Sequence, residues 1–297
     1  MRQRQTLGNI GSRYKVHERC IAQDTSRPEL GCGRTFVVGV AHSAGRACAI
    51  YVMTCYGTQL MTADFKNITT ISFDCYGTLI DWEAGLLPVL RALLSRHGES
   101  LPDAAILELY GEYEAQAESG PYQSYRSVLQ SVVRGFADRF HFNATAAEIR
   151  SLHESVPDWL PFPDTVSALR DLQRHYKLAV ISNIDDNLFA QTRRHLEVDF
   201  DAVTTAEGVR NYKPSLINFR MALGNLGVSP DQLLHAGQSI YHDVVPARAL
   251  GISAVWVNRK SARPGIGAVR ESQSGISPDL EVPDLASLTA VLRRARQ

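Results

Sequence analysis

Short apolar runs alternate with amphipathic stretches along the chain from residue 68 onward. Five runs rich in Val, Ile, Ala or Leu, each bounded by polar residues or glycine, predict β-strands. They cover residues 68–74, 178–182, 201–206, 233–237 and 253–257. Apolar residues at helical spacing predict helices between and after them, over 165–175, 187–196, 215–226, 244–250 and 285–296. Continuous apolar strands that alternate with helices indicate an α/β fold with a parallel sheet covered on both faces.

One segment interrupts this alternation. Residues 82–156 have a helical pattern throughout, with helices predicted over 82–97, 103–118, 122–140 and 146–154. The prolines at 157, 161 and 163 then disfavour helix and predict an extended return to the sheet, before a helix with Asp164 as its N-cap. The chain therefore predicts a Rossmann-like core made of 64–81 and 157–297, with an all-helical cap formed by 82–156.

Residues 1–63 differ in composition from the rest. They hold eight Lys and Arg against three Asp and Glu, and four of the five cysteines. We expect a poorly ordered or non-homologous extension, or translated sequence upstream of a true start, with Met61 as a natural beginning of the fold. A basic opening without acidic residues before Glu18 is also typical of a mitochondrial presequence. A zinc site is poorly supported because no Cys-x-x-Cys pair occurs.

Composition narrows the function classes. The chain of 297 residues is 44% apolar and 21% charged with zero formal net charge, which is ordinary for a soluble enzyme and argues against nucleic-acid binding. The sequence contains no run of eighteen uncharged apolar residues, so it predicts no membrane-spanning helix. No cysteine follows Cys75, which fits a protein of a reducing compartment. We therefore expect a cytoplasmic protein, or a mitochondrial one if the first sixty residues are a transit peptide. The oligomeric state, a homodimer included, stays open.

Polar side chains follow several of the predicted strands where each strand ends. Asp74 ends the first strand and is followed by Thr78. The second strand ends with Ser182 and Asn183, and Asp243 follows the fourth strand after a short loop. Lys213 precedes a proline just before a helix. Because ligands bind at the carboxyl ends of strands in open α/β sheets, we expect these residues to converge on one edge.

The residue types at this edge suit one kind of chemistry. A carboxylate nucleophile depends on its position and on nearby positive charge, which Lys213 could supply to Asp74. Ser182 and Asn183 offer donors to an anionic substrate. Asp243 could orient Lys213, activate water or bind a cation.

The order Asp74-x-Tyr76-Gly77-Thr78, Ser182-Asn183, Lys213-Pro214 and Asp243 resembles the four motifs of the haloacid dehalogenase superfamily. The resemblance covers about residues 65–290 and is closest to the (S)-2-haloacid dehalogenase branch. It implies that Asp74 is a covalent nucleophile and that Thr78, Ser182, Asn183, Lys213 and Asp243 are functional. It further implies a cap arginine that takes the leaving halide, for which Arg126 is a loose match.

The chain departs from that branch at two positions of the resemblance. Phe219 stands where an active-site Tyr is usual, and Ile240 stands where the fourth motif usually has an Asn that positions water. His242 and Tyr241 could substitute for that Asn. The chain also departs from the related phosphatases, which usually carry a second Asp two residues after the nucleophile, where Tyr76 stands here.

These features favour hydrolysis of a small anionic substrate, with 2-haloacid dehalogenation as the first reading. That route requires no cofactor and no metal, and Tyr76 then counts among the substrate-binding residues. The alternative is a Mg²⁺-dependent phosphatase in which Asp74 and Asp243 hold the metal. A third hypothesis, of another class, is a non-catalytic binding protein on the same fold. The sequence does not identify the substrate or the cap residues that line the pocket.

Overall fold

A computed structural model of the chain describes residues 65–259 and 275–296, together with the backbone of 36–43, 46–54 and 57–61. The three short ranges are strands β1 (Phe36–Ser43), β2 (Arg46–Thr54) and β3 (Gly57–Met61), which pair in that order as an antiparallel sheet. The apolar pattern predicted no element in this region, so these strands were missed. The expected extension over 1–63 otherwise falls on residues outside those described.

A second sheet of six parallel strands forms the core. Its strands are β4 (Thr70–Phe73), β5 (Lys177–Ser182), β6 (Ala202–Thr205), β7 (Leu233–Gly237), β8 (Ser253–Val257) and β9 (Leu280–Val282), in the spatial order β6-β5-β4-β7-β8-β9. Five of them confirm the predicted strands, whereas β9 is too short for the apolar pattern to reveal. Phe73 pairs with Val180 on one side and with Ala236 on the other. The carboxyl ends of β4, β5 and β7 therefore lie level at one edge.

Four α-helices lie between β4 and the proline-containing return to the sheet at residues 157–163. They are α1 (Trp82–Arg96), α2 (Asp103–Glu118), α3 (Tyr125–Arg139) and α4 (Ala146–Ser155). Local sequence sets where they begin: Ser124 caps α3 by accepting from the Ser127 N–H, and Thr145 forms a capping box with Glu148 at the start of α4. The four helices match those predicted from the sequence, and this block is called the cap below.

Six further helices follow the cap along the chain. They are α5 (Thr165–Leu172), α6 (Asp186–Thr192), α7 (Ala206–Val209), α8 (Leu216–Leu226), α9 (Val245–Ala249) and α10 (Leu285–Ala295). The helix predicted over 244–250 is preceded by a π-helical turn, Ile240–Val244, that the sequence pattern did not show.

Asp164 occupies the predicted N-cap position of α5, but its side chain does not cap the helix. Instead it accepts from Arg259 Nη1 at 2.7 Å and from the Leu285 N–H at 2.7 Å. The charge of Arg259 outweighs a local backbone donor, so Asp164 joins the start of α10 to the core rather than capping α5.

One cluster of buried apolar residues runs from the sheet into the cap. It includes Ile71 and Phe73 of β4, Leu90 of α1 and Phe136 of α3, all with no exposed surface. All four residues of β4 are buried, as expected for a central parallel strand. This packing holds the end of β4 beneath the cap. Within the described residues, no helix is both long and apolar enough to cross a membrane.

Candidate active site

Asp74 is the first residue beyond β4 and lies at the level edge of the sheet. Its backbone N–H donates to the Ala236 carbonyl at 3.0 Å, which continues the β4–β7 pairing by one residue. Its carboxylate accepts from Lys213 Nζ at Oδ1 and from Thr78 Oγ1 at Oδ2, both at 2.8 Å. The side chain is buried but lines a cavity of about 100 Å³. These bonds fix the carboxylate with one face toward that cavity.

The turn after Asp74 brings Thr78 back to it. Gly77 has a φ of +97°, a conformation that L-residues with a Cβ rarely adopt. A Cβ on Gly77 would also lie 2.4 Å from Gln238 Oε1. Thr78 Oγ1 accepts from the Gln238 N–H at 2.9 Å while it donates to Asp74, so one hydroxyl connects the ends of β4 and β7.

Lys213 is 2% exposed and uses all three of its N–H donors. Nζ donates to Asp74 Oδ1 at 2.8 Å, to Asp243 Oδ1 at 2.6 Å and to the Ile181 carbonyl at 2.9 Å. Its backbone is held by Asn183, whose Oδ1 accepts from the Lys213 N–H at 2.7 Å and whose Nδ2 donates to the Lys213 carbonyl at 3.2 Å. The lysine is therefore a fixed cation between two carboxylates.

The three charges shift one another's pKa values. Burial raises the pKa of Asp74, with attraction by Lys213 opposing that rise and repulsion by Asp243 adding to it. For Lys213, burial favours the neutral form, but attraction by Asp243 and Asp74 outweighs it and raises the pKa. Burial likewise opposes ionisation of Asp243, yet Lys213 and a hydrogen bond from His235 hold its pKa well below the usual range. Asp243 and Lys213 thus form the firm ion pair, and Asp74 is the more basic carboxylate.

Asp243 is held by partners on every side. Besides Lys213, His235 Nε2 donates to Oδ1 at 3.2 Å and the Ser239 N–H donates to Oδ2 at 3.1 Å. His235 lies on β7 and is fixed by Ser72 of β4, whose Oγ is 2.9 Å from Nδ1. The π-helical turn makes this possible, because its extra residue directs Asp243 back over the end of β7. The buried His235 is a residue that sequence reasoning missed, although a polar side chain inside an apolar strand was a usable signal.

Ser182 ends β5 and lines the same cavity. The residue is 1% exposed, and its Oγ has no hydrogen-bond partner among the residues that the structure describes. Because a buried hydroxyl without a partner is costly, this donor is suited to a bound ligand. Tyr76 also lines the cavity, where its hydroxyl pairs with Thr192 Oγ1 at 2.8 Å and its ring meets Trp159 edge-on.

Arg126 is not brought to this cavity. Its Nη2 donates to Asn187 Oδ1 at 3.0 Å, and its backbone N–H donates to Asp185 at 2.9 Å at the start of α3. Phe219 packs edge-on against His235 in the core, with ring centroids 4.9 Å apart. His242 does line the cavity, and its ring Nδ1 is 3.1 Å from Ser239 Oγ.

The cap closes the cavity with residues that the sequence analysis did not anticipate. Tyr110, Glu114 and Glu118 recur every fourth residue of α2, and so occupy one face of that helix. Tyr125 of α3 joins them, and the hydroxyls of Tyr110 and Tyr125 donate to Glu114 Oε1 at 2.8 and 2.6 Å. The i, i+4 spacing was visible in the sequence, but a stripe of Tyr and Glu resembles a solvated face until its position above the sheet is known.

Known proteins share this architecture. A family model described as haloacid dehalogenase-like hydrolase matches residues 68–251. Haloacetate dehalogenase H-2 of Moraxella sp. is 23% identical over 76% of this chain and 99% of its own length. Glyceraldehyde 3-phosphate phosphatase of Methanothermobacter thermautotrophicus is 36% identical over 33% of this chain and 45% of its own. A similar solved structure is that of L-2-haloacid dehalogenase from Xanthobacter autotrophicus with chloropropionic acid covalently bound. Its sequence is 20% identical, and the match covers 76% of this chain and 98% of that chain. The TM-score of 0.65 shows that the two share a fold.

Proposed function

This chain belongs to the haloacid dehalogenase-like hydrolase family, and from that premise we propose that it hydrolyses a small α-substituted carboxylic acid through a covalent intermediate on Asp74. The observation that carries the proposal is the buried Asp74 carboxylate, which Lys213 and Thr78 fix at the wall of the cavity. A carboxylate held in this way is oriented for attack and has little water around it.

The first step is a substitution at the carbon next to the substrate carboxylate. An oxygen of Asp74 forms a bond to that carbon, and the bond to the halide breaks, with the electron pair leaving on the halide. Ser182 Oγ supplies a hydrogen bond to the substrate carboxylate, since it has no partner in the described part of the chain. Attraction by Lys213 opposes the rise in the pKa of Asp74 that burial causes, and so favours the carboxylate that attacks.

The second step hydrolyses the Asp74 ester. Water attacks the carboxyl carbon of Asp74, the ester bond breaks on the enzyme side, and the substrate leaves as a 2-hydroxy acid while Asp74 regains its charge. His242 lines the cavity and takes the proton of this water in our proposal, since Ile240 stands where the family usually has an Asn.

Phosphate-ester hydrolysis is the second candidate, supported by the 36% identity to glyceraldehyde 3-phosphate phosphatase over 101 residues. Two features of the site favour the dehalogenase-type reaction over it. Tyr76 occupies the position of the usual acid, and its hydroxyl is engaged with Thr192. Lys213 Nζ already places a positive charge between Asp74 and Asp243, the position at which a phosphatase would need Mg²⁺.

A parallel screen tests the proposal. Purified protein is given a panel of 2-haloacids and a panel of phosphate monoesters, and halide and phosphate release are both measured. We expect halide release, with inversion at the substituted carbon because attack comes from the side opposite the leaving group. Phosphate release without halide release would move the assignment to the phosphatase.

A single turnover in H₂¹⁸O tests the covalent step itself. Because water attacks the carboxyl carbon of Asp74, the label should appear in the peptide that contains Asp74 and not in the released hydroxy acid. Label found in the hydroxy acid alone would mean direct attack by water and would exclude the ester.

A further inference from the structure

The cavity above Asp74 is strongly acidic for a site that receives an anion. Besides Asp74 and Asp243, it is lined by Glu114 and Glu118 of α2. Lys213 is the one Lys or Arg among its lining residues, and its three donors are already bound. Lys213 still attracts Glu118 through space, but one cation faces four carboxyl groups and has no N–H left to donate to the glutamates.

The two glutamates are not equivalent. Glu114 accepts hydrogen bonds from Tyr110 and Tyr125. Glu118, one helical turn further, has neither a hydrogen bond nor a salt bridge with any residue that the structure describes. Burial raises the pKa of both carboxyl groups, and at Glu118 repulsion by Glu114 adds to the rise while attraction by Lys213 opposes it. A carboxylate in this position gains most from a bound cation.

Two further features point to a ligand at this position. Ser182 Oγ is a buried hydroxyl without a described partner that faces the same cavity from the sheet side. Aromatic rings line the cavity as well, from Trp82, Tyr110 and Tyr125 of the cap and from Trp159 just after it. Aromatic faces next to carboxylates are the surroundings in which proteins bind ammonium groups.

The space beyond the glutamates can take the rest of such a molecule. A second cavity of about 830 Å³ shares Glu114, Glu118, Lys213 and His242 with the first. Glu108 and Glu112 of α2 line it as well. Arg210 lines the larger cavity too, so this cavity offers the rest of the molecule partners of both charges.

We propose that the substrate carries an ammonium group as well as its reacting end, and that Glu118 together with Glu114 binds this group beneath the cap. The substrate class is then an ω-amino acid with a leaving group at carbon 2, a zwitterion whose carboxylate lies near Ser182 and whose ammonium lies on α2. This inference rests on the proposed function for the reacting end. The ammonium site itself depends only on the cavity.

A binding experiment on the full chain tests the ammonium site without requiring turnover. The two probes are 5-amino-2-hydroxypentanoate and 2-hydroxypentanoate, which are product-like and differ by the ammonium group. Calorimetry should show the amino compound binding about tenfold more tightly, which corresponds to about 1.4 kcal/mol. Glu118→Gln should remove this preference while it leaves the affinity for 2-hydroxypentanoate within about twofold, a change below 0.5 kcal/mol on the same scale.

The controls separate charge at the site from general effects. Asp138→Asn removes an exposed carboxylate of α3 that lines neither cavity, and the preference should survive it. Glu114→Gln provides a second variant in case Glu118→Gln does not fold, and it should weaken the preference too. Equal affinity for the two probes, failure of the amino compound to bind, or a preference that persists in both glutamine variants would overturn the proposal. The last result would mean that the ammonium group binds elsewhere than at these two carboxyl groups.

Turnover distinguishes this inference from the proposed reaction. Chloride release is measured from 5-amino-2-chloropentanoate and from 2-chloropentanoate. If the amino probe binds through Glu118 but neither chloride is released, the ammonium site stands and the reaction is wrong. If both chlorides are released at equal rates and both probes bind equally, the reaction stands and the ammonium site is wrong.

Discussion

At the scale of single residues, the charge on Asp74 is unfavourable for the fold and necessary for the proposed reaction. Its pKa is raised by burial, so the native state disfavours the ionised form. Asp74→Asn removes the nucleophile but keeps its size. We expect the variant to lose all but about one per cent of kcat, a drop of about 2.7 kcal/mol or more in transition-state stabilisation, with a melting temperature no lower than that of the parent. Activity above a few per cent would exclude the covalent mechanism.

The same raised pKa sets the acid limb of the pH profile. Asp74 attacks only as a carboxylate, so kcat/KM should fall as pH decreases through its pKa, and this fall should occur above the ordinary value of 3.8. The Thr78 hydroxyl stabilises the ionised form by donating to Oδ2. Thr78→Val should therefore move the acid limb to higher pH, whereas Thr78→Ser, which keeps the hydroxyl, should not. An acid limb that is the same in both variants would show that Asp74 does not control it.

The sequence predicted most of these side chains because strand ends are visible in it. Asp74, Ser182, Lys213 and Asp243 meet as expected, since the apolar runs show where parallel strands stop. Asn183 lines the cavity too, but its amide binds the Lys213 backbone. Side chains on inserted helices follow no such rule, because their position depends on how the cap packs on the sheet.

At the scale of elements, the turn from β7 into the π-helix determines where Asp243 lies. Gly237 ends β7, and a Cβ there would lie 2.4 Å from Cγ of Asp243. Gly237→Ala should displace the Asp243 carboxylate from Lys213, lower kcat at least tenfold, and cost about 1–3 kcal/mol of unfolding free energy through overpacking.

Gly224→Ala is the matched control for this variant. Gly224 lies inside α8 with nothing within 4 Å of the added Cβ, so alanine should stabilise the helix by about 0.5–1 kcal/mol and leave kcat unchanged. Full activity of Gly237→Ala would show that Asp243 can move without consequence.

The helices and strands whose apolar residues recur at a regular spacing were predicted from the sequence, and the other elements were not. The four cap helices and five of the core strands match the apolar pattern closely. The π-helix depends on the Ser239 carbonyl, which accepts hydrogen bonds from the backbone N–H groups of both Asp243 and Val244. No periodic pattern of apolar residues predicts this arrangement. Strand β9 spans three residues, fewer than the period-two pattern needs to stand out.

At the scale of the whole molecule, the two sheets divide the chain near residue 62. The six-stranded sheet and the cap take all their strands and helices from residues after 69, whereas β1, β2 and β3 pair only with one another. A chain that begins at Met61 should therefore fold and melt within about 2 °C of the full chain, less than the shift that about 1 kcal/mol produces in a domain of this size. Aggregation, or a loss of several degrees, would show that residues 1–60 stabilise the core.

Metal dependence distinguishes the two candidate reactions for the whole enzyme. In the proposed route Lys213 is the cation that balances Asp74, and both oxygens of Asp243 are bound by protein donors. A phosphatase of this kind would need Mg²⁺ to offset repulsion between Asp74 and a phosphate. We expect kcat on the best substrate of the screen to be unchanged after dialysis against EDTA and on addition of Mg²⁺. Lys213→Ala should lower kcat by about 10²–10³ under both conditions, and Mg²⁺ should not restore it. Activity that disappears in EDTA and returns with Mg²⁺ would instead assign Asp74 and Asp243 to a metal site and the reaction to phosphate esters.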